Sequence, residues 1–193
     1  MLCNILLDEL PKITPNNYKI NTSYKQGIKF ELLMQDNELQ KEEKVMLALA
    51  LFYDKKEINQ IKTPEELQKR INDILWFYKC NKIEQNNKGV NARKEKQIYS
   101  YEFDADKIYS AFMQQYNVDL QKTDLHWWQF RSMFESLTDK TQIVEIMGYR
   151  AIDLSKIKDK EEKKRYKELK RIYALPDMRT QEQKESDFAC AFL

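Results

Sequence analysis

Tyr99–Arg150 reads YSYEFDADKIYSAFMQQYNVDLQKTDLHWWQFRSMFESLTDKTQIVEIMGYR, and its periodicity decides the fold class. Asp104 or Asp106 can cap a helix carrying Ile108, Phe112 and Tyr116 on one face, with acidic groups favourably placed at its positive end. Asp124 can cap the next, which carries Trp127, Phe130, Phe134 and Leu137. Asp139 with Gln142 opens a third, with Ile143, Ile146, Met147 and Arg150 in register. Three short helices with tight connections are expected. Ahead of them, Tyr99, Tyr101 and Phe103 alternate with polar residues, as in a short extended segment or an aromatic lead-in docked on the core.

Moving toward the amino terminus, Lys82 to Gln97 carries five basic and two acidic residues with little to bury, so a locally basic, polar connector is expected between two helical halves. Thr63-Pro64-Glu65-Glu66 is the clearest helix start in the chain: an N-cap threonine, proline at the first helical position and glutamate three residues after the cap. Leu67, Ile71, Ile74, Leu75 and Tyr78 form its apolar stripe. The preceding EEKVMLALALFYD, after a cap-like Asn37/Gln40 spacing, is apolar almost all round and is expected to be the most buried helix. Ser23 and Gln26 have capping-box spacing ahead of Tyr24, Ile28 and Leu32, predicting a helix over about 23–35 with Gly27 a weak point. Residues 1–22 are expected to be extended, two short strands around an Asn16-Asn17 turn, hairpin-like.

Beyond Arg150, residues 155–173 hold nine basic and four acidic side chains around a thin stripe of Tyr166, Leu169 and Tyr173, a solvated helix with one docking edge. Pro176 stops it. The tail 177–193 ends in Phe188, Phe192 and Leu193, available to pack or to bind. The expected architecture is mainly α: a single helical domain over 1–176 plus that tail. Three glycines and four prolines among 193 residues fit this, as does the balance of 33% charged to 42% hydrophobic. The net charge of +2 provides no global field toward nucleic acid or membrane. No apolar run approaches the roughly 20 residues of a membrane span. Acidic residues follow the apolar start within ten positions, unlike a signal peptide, and the three scattered cysteines fit a reducing cytoplasm.

Catalytic chemistry is poorly supported. His126, the sole imidazole, has Asp124 and Asp119 nearby, yet Cys3, Cys80 and Cys190 sit outside any elbow motif and no serine stands in a G-x-S-x-G context. The odd, scattered cysteines form neither a disulfide framework nor a zinc pattern. Glu102, Asp104, Asp106 and Asp119 lack the spaced loop of a calcium site, and helix capping accounts for the aspartates more simply. No glycine-rich phosphate loop exists, so no cofactor is expected. Lys88, Arg93, Lys94, Lys96 and the run from Lys156 to Arg171 could meet phosphates, but acidic residues interrupt the second run, which favours a solvated helix face over nucleic-acid binding.

Adjacent residues on a helix point about 100° apart, so Trp127 and Trp128 are both buried only if the helix is enclosed on two sides. Two core tryptophans is one reading. A partner-binding hot spot with Arg131 and Tyr149 is the other. Arg131 and Arg150, embedded in apolar sequence, need carboxylate or carbonyl partners, internal or external.

With D-A-D-x-I-Y, L-H-W-W-x-F and I-M-x-Y-R in order, and with LLDELPK, YKINTSYKQGIKFELLMQD and ALALFY upstream, nearly the whole chain resembles the phage Gp-fifteen family of temperate phages and prophages of Gram-positive bacteria. The resemblance implies a product of the tail-morphogenesis region, a non-enzymatic tail assembly chaperone acting with the helical tape-measure protein in the host cytoplasm. It transfers no catalytic residues. A chaperone of that kind needs exposed anchors on a helical domain. Trp127, Trp128, Arg131, Tyr149, Phe188 and Phe192 are the candidates, with self-association a further use of the same surfaces. A structural tail or head–tail connector component of the virion is the alternative, and a nucleic-acid-binding protein the second.

Overall fold

A computed structural model describes residues 5–82 and 97–177. Eight helices account for most of the described chain, and the backbone groups into two compact units. The first unit takes residues 1–92 and 117–136, the second residues 93–116 and 137–193. The division therefore does not follow the connector: the tryptophan helix belongs with the amino-terminal helices.

The first unit contains α1 (Tyr24–Gln35), α2 (Lys41–Phe52), α3 (Lys55–Asn59), α4 (Pro64–Tyr78) and, out of chain order, α6 (Trp127–Glu135). Local chemistry sets their starts. Ser23 Oγ accepts from Lys25 N–H at α1, Asp54 from Glu57 N–H at α3, and Thr63 and Glu66 exchange bonds across the first turn of α4 as the sequence predicts. At α2 the cap is Gln40 rather than Asn37, its N–H donating to Glu43 at 2.9 Å. α2 packs against α1 and α4, and α6 against α1. Phe30, Leu49, Phe52, Ile74, Phe77, Trp127 and Phe130 fill the space between them, each no more than 4% exposed. Each such side chain withdrawn from water contributes about 1.5–3 kcal/mol or more.

Two expectations are corrected in this unit. Residues 1–22 form no hairpin: among the described ones only an isolated antiparallel bridge joins Ile13 and Lys19. The turn itself is present, with Asn17 at φ 65° and its N–H bonded to Thr14 O at 2.9 Å. Pro11 and Pro15 supply no N–H to a ladder, and side chains pin the segment instead. Thr14 Oγ1 and Asn16 Nδ2 donate to the buried Asp73 carboxylate of α4 at 2.6 and 2.8 Å. Neighbouring Arg70, also buried, lies 3.3 Å from the Tyr18 ring centroid and 2.8 Å from Glu57 Oε2. α2, in turn, is not buried all round. Ala48, Leu49 and Phe52 face inward, whereas Met46 and Leu47 are 58% and 46% exposed and Ala50 is exposed.

The second unit contains α5 (Ala105–Tyr116), α7 (Gln142–Ala151) and α8 (Lys160–Ile172), with α7 packed against both others. Ile108, Phe112, Ile143 and Ile146 are among its buried apolar residues, as the periodicity predicts, together with Ala111. Of the two readings left open for Tyr99–Phe103, the aromatic lead-in holds: the segment forms no strand, Tyr101 is buried, and Tyr99 meets it edge-on at 5.2 Å. α8 has no buried residue and leans on α7 through Tyr149, which stacks on Tyr173 at 5.6 Å and meets Tyr166 at 6.4 Å. No described helix is long and apolar enough to cross a membrane.

Candidate functional site

The start of α6 is built against the start of α1. Tyr24 N–H donates to Leu125 O and Trp127 N–H to Thr22 O, a single bridge centred on Ser23 and His126. Asp124, expected to cap α6, instead accepts from Ser23 Oγ at 2.5 Å. The cap is His126: its Nδ1 accepts from Trp128 N–H at 3.1 Å while Nε2 lies 3.0 Å from Pro11 O. Those partners select the neutral tautomer with the proton on Nε2, because a backbone N–H needs a lone pair and a carbonyl needs a donor.

Burial, followed by Lys12, holds the His126 pKa below its ordinary value, against the Pro11 hydrogen bond. A folded-state pKa below the unfolded 6.5 means that the unfolded chain binds the proton more readily, so stability falls with acidification. The contribution is complete above about pH 6.5 and is lost as pH drops from there through the folded value. Urea midpoints measured between about pH 7.5 and pH 5 are expected to fall for the wild type. The decline should be shallower in His126→Asn, which retains a capping side chain without the titration.

Both tryptophans face inward. Trp127 is 0% and Trp128 4% exposed, so of the two readings the pair of core tryptophans holds, and neither indole is an outward anchor. The enclosure needed on two sides is supplied by α1 and by the end of α4. Trp127 Nε1 donates to Tyr78 O at 2.8 Å and Trp128 Nε1 to Phe77 O at 2.7 Å, so two indoles bond consecutive carbonyls at the end of α4, the Phe77 carbonyl also accepting from Cys80 N–H. Trp127 also stacks on Tyr78 and Phe130, and a Cβ at Gly27 would lie 2.2 Å from its ring. The glycine that weakens the sequence reading of α1 is thus the point of close approach.

Arg131 is half-buried, its guanidinium 5.6 Å from the Trp127 ring centroid and bonded to Glu135, which also takes Lys82 at 2.6 Å. Tyr149 belongs to the second unit, inside the tyrosine cluster, its hydroxyl donating to Glu145. Phe188 and Phe192 lie outside the described residues, as do Lys88, Arg93, Lys94 and Lys96. The six expected partner-binding positions are therefore not brought together as one described site.

The aspartate motif resolves into structure. Asp104, 2% exposed, takes Arg150 Nη1 and Nη2 at 2.6 and 3.0 Å and Ser100 N–H at 3.0 Å. Arg150 further donates to Ile98 O and Tyr173 O. One guanidinium thereby ties α5, α7, the aromatic lead-in and the residue after α8 together, with both charges satisfied. Asp106 is exposed in the first turn of α5 and pairs with Lys107. No group of metal-ligating side chains occurs among the described residues. Cys80, the one described cysteine, has its thiol pushed up to about 11 by burial, which keeps it protonated and a poor nucleophile.

What sequence reasoning missed is the outward face of α2. Met46, Leu47 and Ala50 fall on one side by helical geometry, opposite the buried set. The signal was the all-round apolar character of ALALFY, taken as burial.

The described residues define a helical scaffold in which the most distinctive sequence motifs, the tryptophan pair and the Asp104–Arg150 pair, hold the fold together. Residues 6–175 match the family model described as Bacteriophage Gp15 protein, so the chain belongs to that family. Among curated proteins and solved structures, none matches it.

Proposed function

We propose that this protein is a non-enzymatic phage tail-morphogenesis factor, a tail assembly chaperone that holds helical segments of the tape-measure protein in the host cytoplasm. The observation that carries the proposal is the family match across nearly the whole chain. The physical support is the α2 face: Met46 and Leu47 are exposed opposite the buried Ala48, Leu49 and Phe52, and methionine adapts to varied apolar partners. Phe188 and Phe192 extend the same proposal to the tail.

Coexpression with a cognate tape-measure protein is expected to move that partner from the insoluble to the soluble fraction and to yield a copurifying complex. Mass spectrometry of purified particles separates the alternative. A chaperone is absent from virions, whereas a head–tail or tail component is present at fixed stoichiometry.

A further inference from the structure

On α8 the charges are not scattered. At about 100° per residue, Lys160, Lys164, Lys167 and Arg171, spaced i, i+4, i+7 and i+11, fall on one line about 16 Å long, with Lys163 beside it. That line lies on the side away from Tyr166, Leu169 and Tyr173, and all five cations are exposed. Lys160, Lys163, Lys164 and Lys167 form no ion pair among the described residues, although Glu161, Glu162 and Glu168 share the helix; Arg171 alone pairs, with Glu168. Within the line the like charges at i and i+4 repel, while Glu161 and Glu162 in the first turn and Lys170 and Arg171 in the last suit the helix dipole.

We propose that the outer face of α8 is a docking surface for an acidic helical segment of another protein. Three features select this occupant. Seven basic against three acidic side chains on α8 repel a second copy of the same helix. Glu161 and Glu168, seven residues apart, form a second line alongside the lysines, which a phosphate backbone would meet as repulsion and a helix bearing both signs would meet as complement. Ile172, 58% exposed at the end of the Glu161 line, offers an apolar contact. The proposal deepens the partner-binding function above by giving one partner segment its charge, and it rests on that function only for the partner's identity.

The test is a titration of the full-length protein followed by backbone amide shifts, which reports weak binding. The probe is a helical peptide of about twenty residues with Glu at i, i+4, i+7 and i+11 on an Ala/Gln background and Lys on the adjacent line. Shifts are expected along Lys160–Arg171, with affinity at least about tenfold weaker at high than at low salt. Lys160→Glu/Lys164→Glu/Lys167→Glu, folded by circular dichroism, should lose the peptide and gain its charge-reversed counterpart. Unchanged affinity in that variant overturns the proposal. So does equal binding of a proline-broken peptide, or tighter binding of a DNA duplex. A failed coexpression experiment with peptide binding intact would remove the tape-measure reading and leave this surface standing.

Discussion

Asp104→Asn is expected to destabilise the second unit by about 3–5 kcal/mol, the usual consequence of leaving one member of a buried ion pair without its counter-charge. Arg150 would keep the Ile98 and Tyr173 carbonyls but lose the carboxylate that accepts two of its N–H groups. Arg150→Met should be similarly damaging, because it strands a carboxylate that is 2% exposed with Ser100 N–H as its remaining neutral donor. In the double variant the unpaired charge persists on Asn/Met at neither position. Its urea unfolding, read by circular dichroism, should therefore fall short of the sum of the single effects by about 0.5–3 kcal/mol. Additive losses would show that the two side chains act independently.

The second large effect concerns the indoles. Trp127→Ala removes a fully enclosed ring stacked between Tyr78 and Phe130 and frees the Tyr78 carbonyl, for an expected loss of about 3–5 kcal/mol and a melting temperature lower by on the order of 10–20 °C. Trp128→Phe keeps most of the apolar volume and deletes the N–H to Phe77 O, so about 1–3 kcal/mol is expected. A scan by calorimetry separates the two. If either tryptophan were a surface anchor, its truncation would weaken partner binding at nearly constant stability. Here stability should move first.

Much of the helical pattern was legible because it is written locally. The Thr63-Pro64-x-Glu66 signature gives the start of α4 to the residue, and the stripes of α5, α6 and α7 place Ile108, Phe112, Phe130, Ile143 and Ile146 inside. What failed depends on residues distant in sequence. Asp124 has every local qualification for an N-cap but is taken by Ser23, a partner 101 residues away, which leaves the cap to a histidine. The Asn16-Asn17 turn forms, yet no strands extend from it: only Thr14 N–H to Tyr18 O and Ile20 N–H to Lys12 O cross it, Pro11 and Pro15 have no N–H to add, and the Thr14 and Asn16 side chains tie the turn to Asp73 on α4. Periodicity likewise cannot distinguish a helix buried on two faces from one with apolar surface left over. α2 looked like the former and is the latter. As for a functional site, the eye goes to the tryptophans and aspartates, the rarest and most patterned residues. In the structure they serve packing and a buried ion pair, and the proposed contact surfaces lie at plainer positions on the outer faces of α2 and α8.

The decisive measurement is copurification of the proposed partner, a cognate tape-measure protein, with Met46→Glu/Leu47→Glu, two exposed positions whose replacement leaves the core untouched. Wild type should bring the partner down in soluble form. The variant should lose it while its melting curve stays superimposable on that of the wild type. Retention of the partner by the variant, or no complex with the wild type, would contradict the assignment of this helical face to partner binding.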